Sequence, residues 1–551
     1  MSLQPPQQPG FPSRDVLSSK QRRAPMRKTR VVTLVGVLTL VVVAQFIVFP
    51  FFLSVVVNQS NQLTLPDYTS FSSSSSAQFK LPNRKADGFF NKVPIYLEKG
   101  SPTSHVHCVG ENYQPNAWKQ RSCRFHNLCF NTTSQEFALF DSPREQRLAQ
   151  YLRQREFLHI SSALRRNNMT LQSLSLGGTN LKWGDKENGI GRLKWFPSIQ
   201  DSNSIDSYYA LPEWIIWIPF HSMNGANPGH LVWDDFFPIY TLLDMFQLLP
   251  PLDLDAPGFS NTFLFPMRYV LKGGKGLWAS CDLRPEKTEL CRKMMNKFLG
   301  LLVGKHYPYQ FTTTQDFSFH KHNANGPDIV CARTGVAGIA SLTDHGINKM
   351  HGWEEEDYLI THNHGRGGSL YAFRNFMMHN MGFIGKELLL HHRVDADGYI
   401  RHRIVFSQKS SDIYNRNLDF ERQIQITREF LPAAQVEGYV FRNHSLQEQL
   451  AIAHDASIFV TLCGGGAVTA MFLPAGTSVF LYYSERGGVK NNKMTYKPAM
   501  LDWDLFNAMS HLRVHWLPRD TIREEYDERL LVDLMRHELS LMDAEVFAKT
   551  Y

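Results

Sequence analysis

The seven cysteines include no pair three positions apart, so both the ligand spacing of a zinc site and the CxxC redox motif are missing. No repeat of solenoid period runs through the 551 residues. Nor does the bulk of the chain carry a charge excess. The formal net charge of +7 comes almost wholly from the first thirty residues, where Arg14, Lys20, Arg22, Arg23, Arg27, Lys28 and Arg30 face only Asp15. Removing these from the totals of 58 basic and 51 acidic residues leaves 51 and 50. So balanced a body gives no support to sequence-independent attraction to nucleic-acid phosphate, and no nucleic-acid partner is expected. At 43% hydrophobic residues the chain is outside the disordered class and long enough for two ordinary domains.

After the basic tail, 1–30, comes an apolar run over 31–57, interrupted by Gly36, Pro50 and the mildly polar Thr33, Thr39, Gln45 and Ser54. Its length suits a tilted transmembrane helix and is about twice a signal-peptide core. Positive charge lies on its N-terminal flank, and no Lys or Arg follows before Lys80. The tail is therefore expected in the cytosol and the rest in the lumen, a type II signal-anchor of the Golgi or ER membrane. Sequons at Asn58, Asn131, Asn168 and Asn443 permit glycosylation there, the last three being the candidates in the body. Cys123 with Cys129, and Cys281 with Cys291, are close enough to pair locally; Cys108 and Cys331 could form a longer bridge, leaving Cys463 odd.

Residues 58–100, with the serine run 72–76, read as a flexible stem. From residue 101, strand-like runs (214–219, 262–270) alternate with helical spacing (236–249, 287–302), which predicts parallel sheets covered by helices. The pattern pauses at Asp395-Ala-Asp-Gly. It restarts as strand 403–407, helix 419–430, strand 435–440, helix 445–454 with Ser445 as cap, and strands 457–462 and 478–483. Two Rossmann-like domains are expected, 101–395 and 396–551, with the His/Gly-rich stretch 351–382 between them as a lid. A charged amphipathic helix over 521–549 is expected to pack on the domain junction.

The strongest local signal is Cys463-Gly464-Gly465-Gly466, set between a buried strand and a helical turn. Glycines there let backbone N–H groups and the positive end of a helix approach a phosphate. One reading is a dinucleotide, since Glu485 lies about twenty residues beyond and suits ribose hydroxyls. The absent third glycine, with Thr469 or Ala470 near its place, and the late position in the chain count against it.

With their neighbours these residues resemble a known family. Gly464, Gly466, Phe472-Leu-Pro and Gly476 match, without a gap, the His-Gly-Ala-Gly-Leu-Thr-Asn and Phe-Leu-Pro-Pro-Gly signature of glycosyltransferase family 61. Cys123-Arg-Phe-His-Asn-Leu-Cys-Phe, Asn227-Pro-Gly-His-Leu-Val-Trp-Asp-Asp and Val330-Cys-Ala-Arg-Thr-Gly resemble further segments of that family, in its order. The resemblance covers about 101–515. It implies an α/β, GT-B-like fold of two Rossmann-like domains facing a cleft, and inverting transfer of GlcNAc, xylose or arabinose from a UDP-sugar to a glycan or glycoprotein, with no metal or other cofactor.

Inverting transfer needs a base for the acceptor hydroxyl and stabilisation of the departing diphosphate. Candidates for the first are His230, Asp234 and Asp235; one helical turn separates His230 from Asp234, while Asp235 points about 100° away. His221, Asp344 and His345 are weaker candidates. The donor is expected on Cys463, Gly464, Gly465, Gly466 and Thr469. The chain departs from the family at Cys463, which replaces a His, at Leu481, which stands where a Glu commonly ends the next strand, and at Gln408, which stands where Arg is frequent. Glu485 is then the ribose candidate and Lys409 or Arg416 the phosphate cation. A catalytically silent glycan-binding scaffold of the same fold is the alternative, a lumenal oxidoreductase is a third reading, and a homodimer is left open.

Overall fold

The run Ile458–Leu462 is buried at every position, as a central strand covered on both faces must be. It lies third in a five-stranded sheet ordered Gln435–Tyr439, Arg403–Ser407, Ile458–Leu462, Ser478–Tyr483, Arg513–Pro518, with every neighbouring pair parallel. The computed structural model describes residues 78–79, 95–109, 121–141, 174–176, 193–222, 224–249, 262–270, 281–282, 284–305, 311–317, 327–338, 342–343, 346–347, 366–383, 401–409, 419–483, 485–490, 493–497, 500–518 and 525–550. All belong to one unit, Ser76–Tyr551. The expected tail, the anchor 31–57, most of the stem and the expected boundary at 395/396 lie outside the described residues. Among the described residues no helix is long and apolar enough to cross a membrane.

Strand alternation divides this sheet between two cores. Ile404, Phe406, Val460, Phe480 and Tyr482 meet Ile424 of the helix Glu421–Phe430 and Leu531 and Met535 of the helix Glu525–Thr550. Val405, Phe459, Val479 and Leu481 face the opposite way, into a cluster shared with Leu450 of the helix Leu446–His454 and with the N-terminal half. Ser445 caps that helix as expected: its hydroxyl accepts from Glu448 N, and the Glu448 carboxylate accepts from Ser445 N at 2.7 Å. The closing helix corrects the expectation that it packs on the domain junction. It lies on the C-terminal sheet, where Glu538 accepts from Ser478 Oγ (2.6 Å) and Arg513 Nε (2.7 Å).

In the N-terminal half, Ser207–Ala210, Ile329–Gly338, Ile215–Phe220, Phe263–Arg268 and Thr312–Thr313 form a second parallel set. Besides this core, Glu136–Asp141 pairs parallel with Ser198–Asp201, and the remaining neighbours are antiparallel. Ser122–Asn131 runs antiparallel along Ile329–Gly338, and His105–Val109 pairs antiparallel with its other edge.

That arrangement overturns two expected disulfides, Cys123–Cys129 and Cys108–Cys331. Cys123 and Cys129 share a strand six residues apart, about 20 Å at the strand rise, and cannot bond to each other. Each bonds instead to the cysteine directly across its own strand pair, Cys108–Cys123 and Cys129–Cys331. Cys281–Cys291 forms as expected, and Cys463 is free and buried. The expected lid also needs correction. Residues 351–365 lie outside the described residues, but Arg366–Asn380 is a helix with Leu370, Phe373 and Met377 buried. Phe373 packs its ring 5.3 Å from those of Phe237 and Tyr240.

Candidate active site

The chain leaves Arg403–Ser407 for a strand on one side and returns to a strand on the other, so the order reverses between Arg403–Ser407 and Ile458–Leu462. In open α/β sheets such a switch point opens the crevice in which ligands bind, beyond the carboxyl ends of the strands. Both carboxyl ends carry expected site residues. Gln408 and Lys409 follow one strand, and Cys463, Gly464 and Gly465 follow the other. Extending the Phe406–Val460 register by three residues sets Lys409 level with Cys463.

Gly464 turns the chain with φ +127° and ψ −172°, a conformation open to glycine. The eight-residue 3-10 helix Gly465–Phe472 starts there, and a helix start leaves its first N–H groups without partners inside the helix. Opposite it stands a second helix start. Asn227 caps the helical stretch that begins at Pro228, its Oδ1 accepting from Gly229 N at 3.0 Å. The two starts touch: a Cβ on Gly229 would sit 3.2 Å from the Gly465 Cα, and a Cβ on Gly465 would sit 2.0 Å from Asn227 Oδ1. Two segments more than two hundred residues apart in the chain thus meet at their glycines.

Trp233 fixes this contact from below. It is fully buried under Gly229, with its ring edge-on to Phe506 at 5.6 Å, and Phe506 in turn meets Trp516 on the last strand of the C-terminal sheet. From the side, buried Arg374 donates to the Phe472 carbonyl at 3.2 Å, tying Arg366–Asn380 to the far end of the 3-10 helix.

The helical stretch 228–245 is not uniform. Leu231–Phe236 is a π-helical turn, closed by Phe237 N donating to Val232 O, and such turns concentrate at functional sites. It separates the two aspartates. Asp234 Oδ2 lies 2.6 Å from His230 Nδ1, while Asp235 Oδ2 accepts from Ser222 Oγ at 2.5 Å. The His230 side chain keeps 18% exposure against 3% for Asp234, so the imidazole meets solvent and the carboxylate backs it. Asp235 holds the preceding loop, since Ser222 Oγ also accepts from Gly225 N at 3.0 Å.

The remaining candidates fall as follows. Cys463 and Thr469 are buried, and Leu481 is wholly in the core rather than at the crevice. Gln408 is buried over Gly438 and donates to Glu421 at 3.3 Å. Lys409 has φ +48° and lies 3.5 Å from Asp419, 42% exposed at the crevice end of its strand. Glu485 opens the hairpin Glu485–Lys490 with Lys493–Lys497; its side chain, like Arg416, Asp344, His345 and Asn168, lies outside the described residues. His221 is a core group: buried beside the Arg268–Asp282 ion pair and 3.4 Å from the Tyr269 carbonyl, its imidazole is held by burial below the ordinary histidine range. Asn443 is exposed, and Asn131 is half-buried with Oδ1 accepting from Ser134 N.

Residues 356–480 match the family model Glycosyltransferase 61. This stretch of the chain is similar to glycosyltransferase family 61. That segment holds three strands of the parallel sheet whole and the first half of Ser478–Tyr483, with the glycine turn and Arg374, while Asn227, His230 and Asp234 lie before it. No curated protein matches the chain. Reasoning from sequence had named the glycines, His230 and Asp234 but not Asn227, Trp233 or Arg374. Asn227 was recoverable as an N-cap followed by Pro; the others depend on tertiary neighbours.

Proposed function

We propose that this glycosyltransferase is inverting, that its donor is a UDP-sugar and that its acceptor is a glycan or glycoprotein. Its two halves then act as a GT-B pair, with the donor diphosphate at the glycine turn and the acceptor on the His230 side. The observation that carries this reading is the Gly229–Gly465 contact, which sets a histidine–aspartate pair beside a helix N-terminus at a sheet switch point. Acceptor oxygen attacks the anomeric carbon, the bond from that carbon to the diphosphate oxygen breaks, and the diphosphate leaves with the electron pair. His230 Nε2 takes the hydroxyl proton while Asp234 holds Nδ1 and stabilises the imidazolium. The N–H groups at Gly465 and Gly466 meet the growing phosphate charge, and Lys409 lies at the same end of the sheet.

Three disulfides among the described residues support an oxidising compartment, and with the 31–57 run we place the body in the Golgi or ER lumen. A thermal-shift screen of UDP-GlcNAc, UDP-xylose and UDP-arabinose tests the donor. A ligand at a hundred times its dissociation constant adds about 2.7 kcal/mol of stability. No shift with any UDP-sugar, together with no transfer, would return the reading to a glycan-binding scaffold.

A further inference from the structure

We propose that the exposed face of strands His105–Val109 and Ser122–Asn131 binds a polyanionic glycan, a chain bearing sulfate or uronic-acid groups. Directly opposed residues share a face of an antiparallel pair, and here the opposed pairs are His105 with His126 and His107 with Arg124. All four are exposed. The His105 and His126 rings are 6.0 Å apart. Four cationic or protonatable side chains therefore form a block about 7 Å along the strands and 5 Å across them.

Such a block opposes folding, because like charges directly across a strand pair repel. A bound polyanion removes that cost. The Cys108–Cys123 bridge, which joins the next rung of the same two strands, locks the register and so holds the block together. Around His126 the charged neighbours are Arg333, His105, Arg124 and Glu213, and Arg333 lies 3.9 Å from Glu213. Burial first, then the cations Arg333, His105 and Arg124, hold the His126 imidazole below its ordinary range against the opposing pull of Glu213. His126 therefore takes up its proton at a lower pH than an ordinary imidazole, so binding of a polyanion strengthens as pH falls. His107 also lies 6.4 Å from the ring of Phe246, at the end of the helical stretch that begins at Pro228. A bound chain therefore runs along the acceptor half of the molecule.

Choosing a glycan over another polyanion rests on the glycosyltransferase reading, whereas the cationic face does not. The test passes the full-length protein, in detergent, over dextran sulfate, polygalacturonate, neutral dextran and double-stranded DNA resins. Retention on the two acidic polysaccharides is expected at about pH 5.5, roughly tenfold weaker at about pH 7.5, and absent on neutral dextran. In the double variant Arg124→Gln/His126→Gln it should fall about tenfold, with an unchanged unfolding midpoint. Equal retention of both proteins, or retention indifferent to pH, overturns the surface. Equal or stronger retention on DNA overturns the glycan while leaving the cationic face intact. UDP-sugar binding, measured separately, does not bear on either outcome.

Discussion

Asn227 Oδ1 stands where the first carbon of any side chain on Gly465 would have to go, only 2.0 Å from that position. Gly465 itself does not have a positive φ, so alanine suits its backbone and the obstacle is Asn227 alone. Gly465→Ala is expected to lose donor affinity by about tenfold or more, with a coupling to Asn227→Ala of about 0.5–3 kcal/mol in a double-mutant cycle. Isothermal titration with UDP on all four proteins measures it. Additivity of the two substitutions would show that the glycines are not held by this contact.

His230→Gln and Asp234→Asn should both lower kcat, by about a hundredfold to ten-thousandfold, with UDP affinity retained. Asp235→Asn behaves differently. It weakens the Ser222 hydrogen bond and lowers the unfolding midpoint, while the remaining activity per folded molecule stays within a few-fold. If Asp235→Asn were the more damaging to kcat, the roles assigned to the two aspartates would be reversed.

His511 is half-buried near Arg374 with its ring nitrogens shielded from solvent, and its pKa is pushed down to about 3, by burial first and the guanidinium second. It is neutral in the fold and protonates at its ordinary value when unfolded. The stability it leaves intact above about pH 6.5 is therefore lost progressively as pH falls towards 3, at up to about 1.4 kcal/mol per pH unit. Denaturant melts between pH 7 and 5 should show a shallower slope for His511→Gln than for the wild type.

Glu538 adds a second, lower acid limit. Burial alone would raise its carboxyl, but hydrogen bonds from Ser478 and Arg513 and the nearby charges of His515 and Arg513 hold it below the usual range. Its contribution is complete above the ordinary carboxylate pKa of about 4.5 and is lost as pH drops through the depressed value. Glu538→Gln should lose stability at neutral pH and show less further loss below about pH 4.5, read by circular dichroism of the helix Glu525–Thr550.

Replacing both Cys129 and Cys331 by alanine removes a link between residues 202 apart in sequence. Chain-entropy reasoning gives a loss of up to about 5 kcal/mol in denaturant unfolding. The Cys281→Ala/Cys291→Ala pair, 10 residues apart, should cost less.

The C-terminal half is legible in the sequence because a sheet buried on both faces demands unbroken apolar runs, and 404–406, 458–462 and 479–482 supply them. Ser445 and Glu448 announce their helix by a capping box. Both parts of the site are equally visible as motifs, but their meeting is not, since nothing local in Asn227-Pro-Gly-His points to Gly465. The separation of Asp234 from Asp235 rests on a π-helical turn that helical periodicity does not reveal. Cys108 and Cys331 find their partners only once it is known which strands flank Ser122–Asn131. Arg374 and the helix around it read as part of a His/Gly-rich lid because the apolar face that buries Phe373 is short.

The Cys129–Cys331 bridge also sets an order on biosynthesis. A chain made from its N-terminus displays Cys108, Cys123 and Cys129 long before Cys331 emerges, and the strand that brings Cys331 alongside Cys129, Ile329–Gly338, is also paired with the parallel core. Until that strand arrives, Cys129 is a waiting thiol, and a wrong bond to Cys108 would leave both Cys123 and Cys331 without their partners. The N-terminal half therefore closes late, after most of the residues that form it have been synthesised, and its yield should depend on the thiol-exchange machinery of the compartment in which it folds.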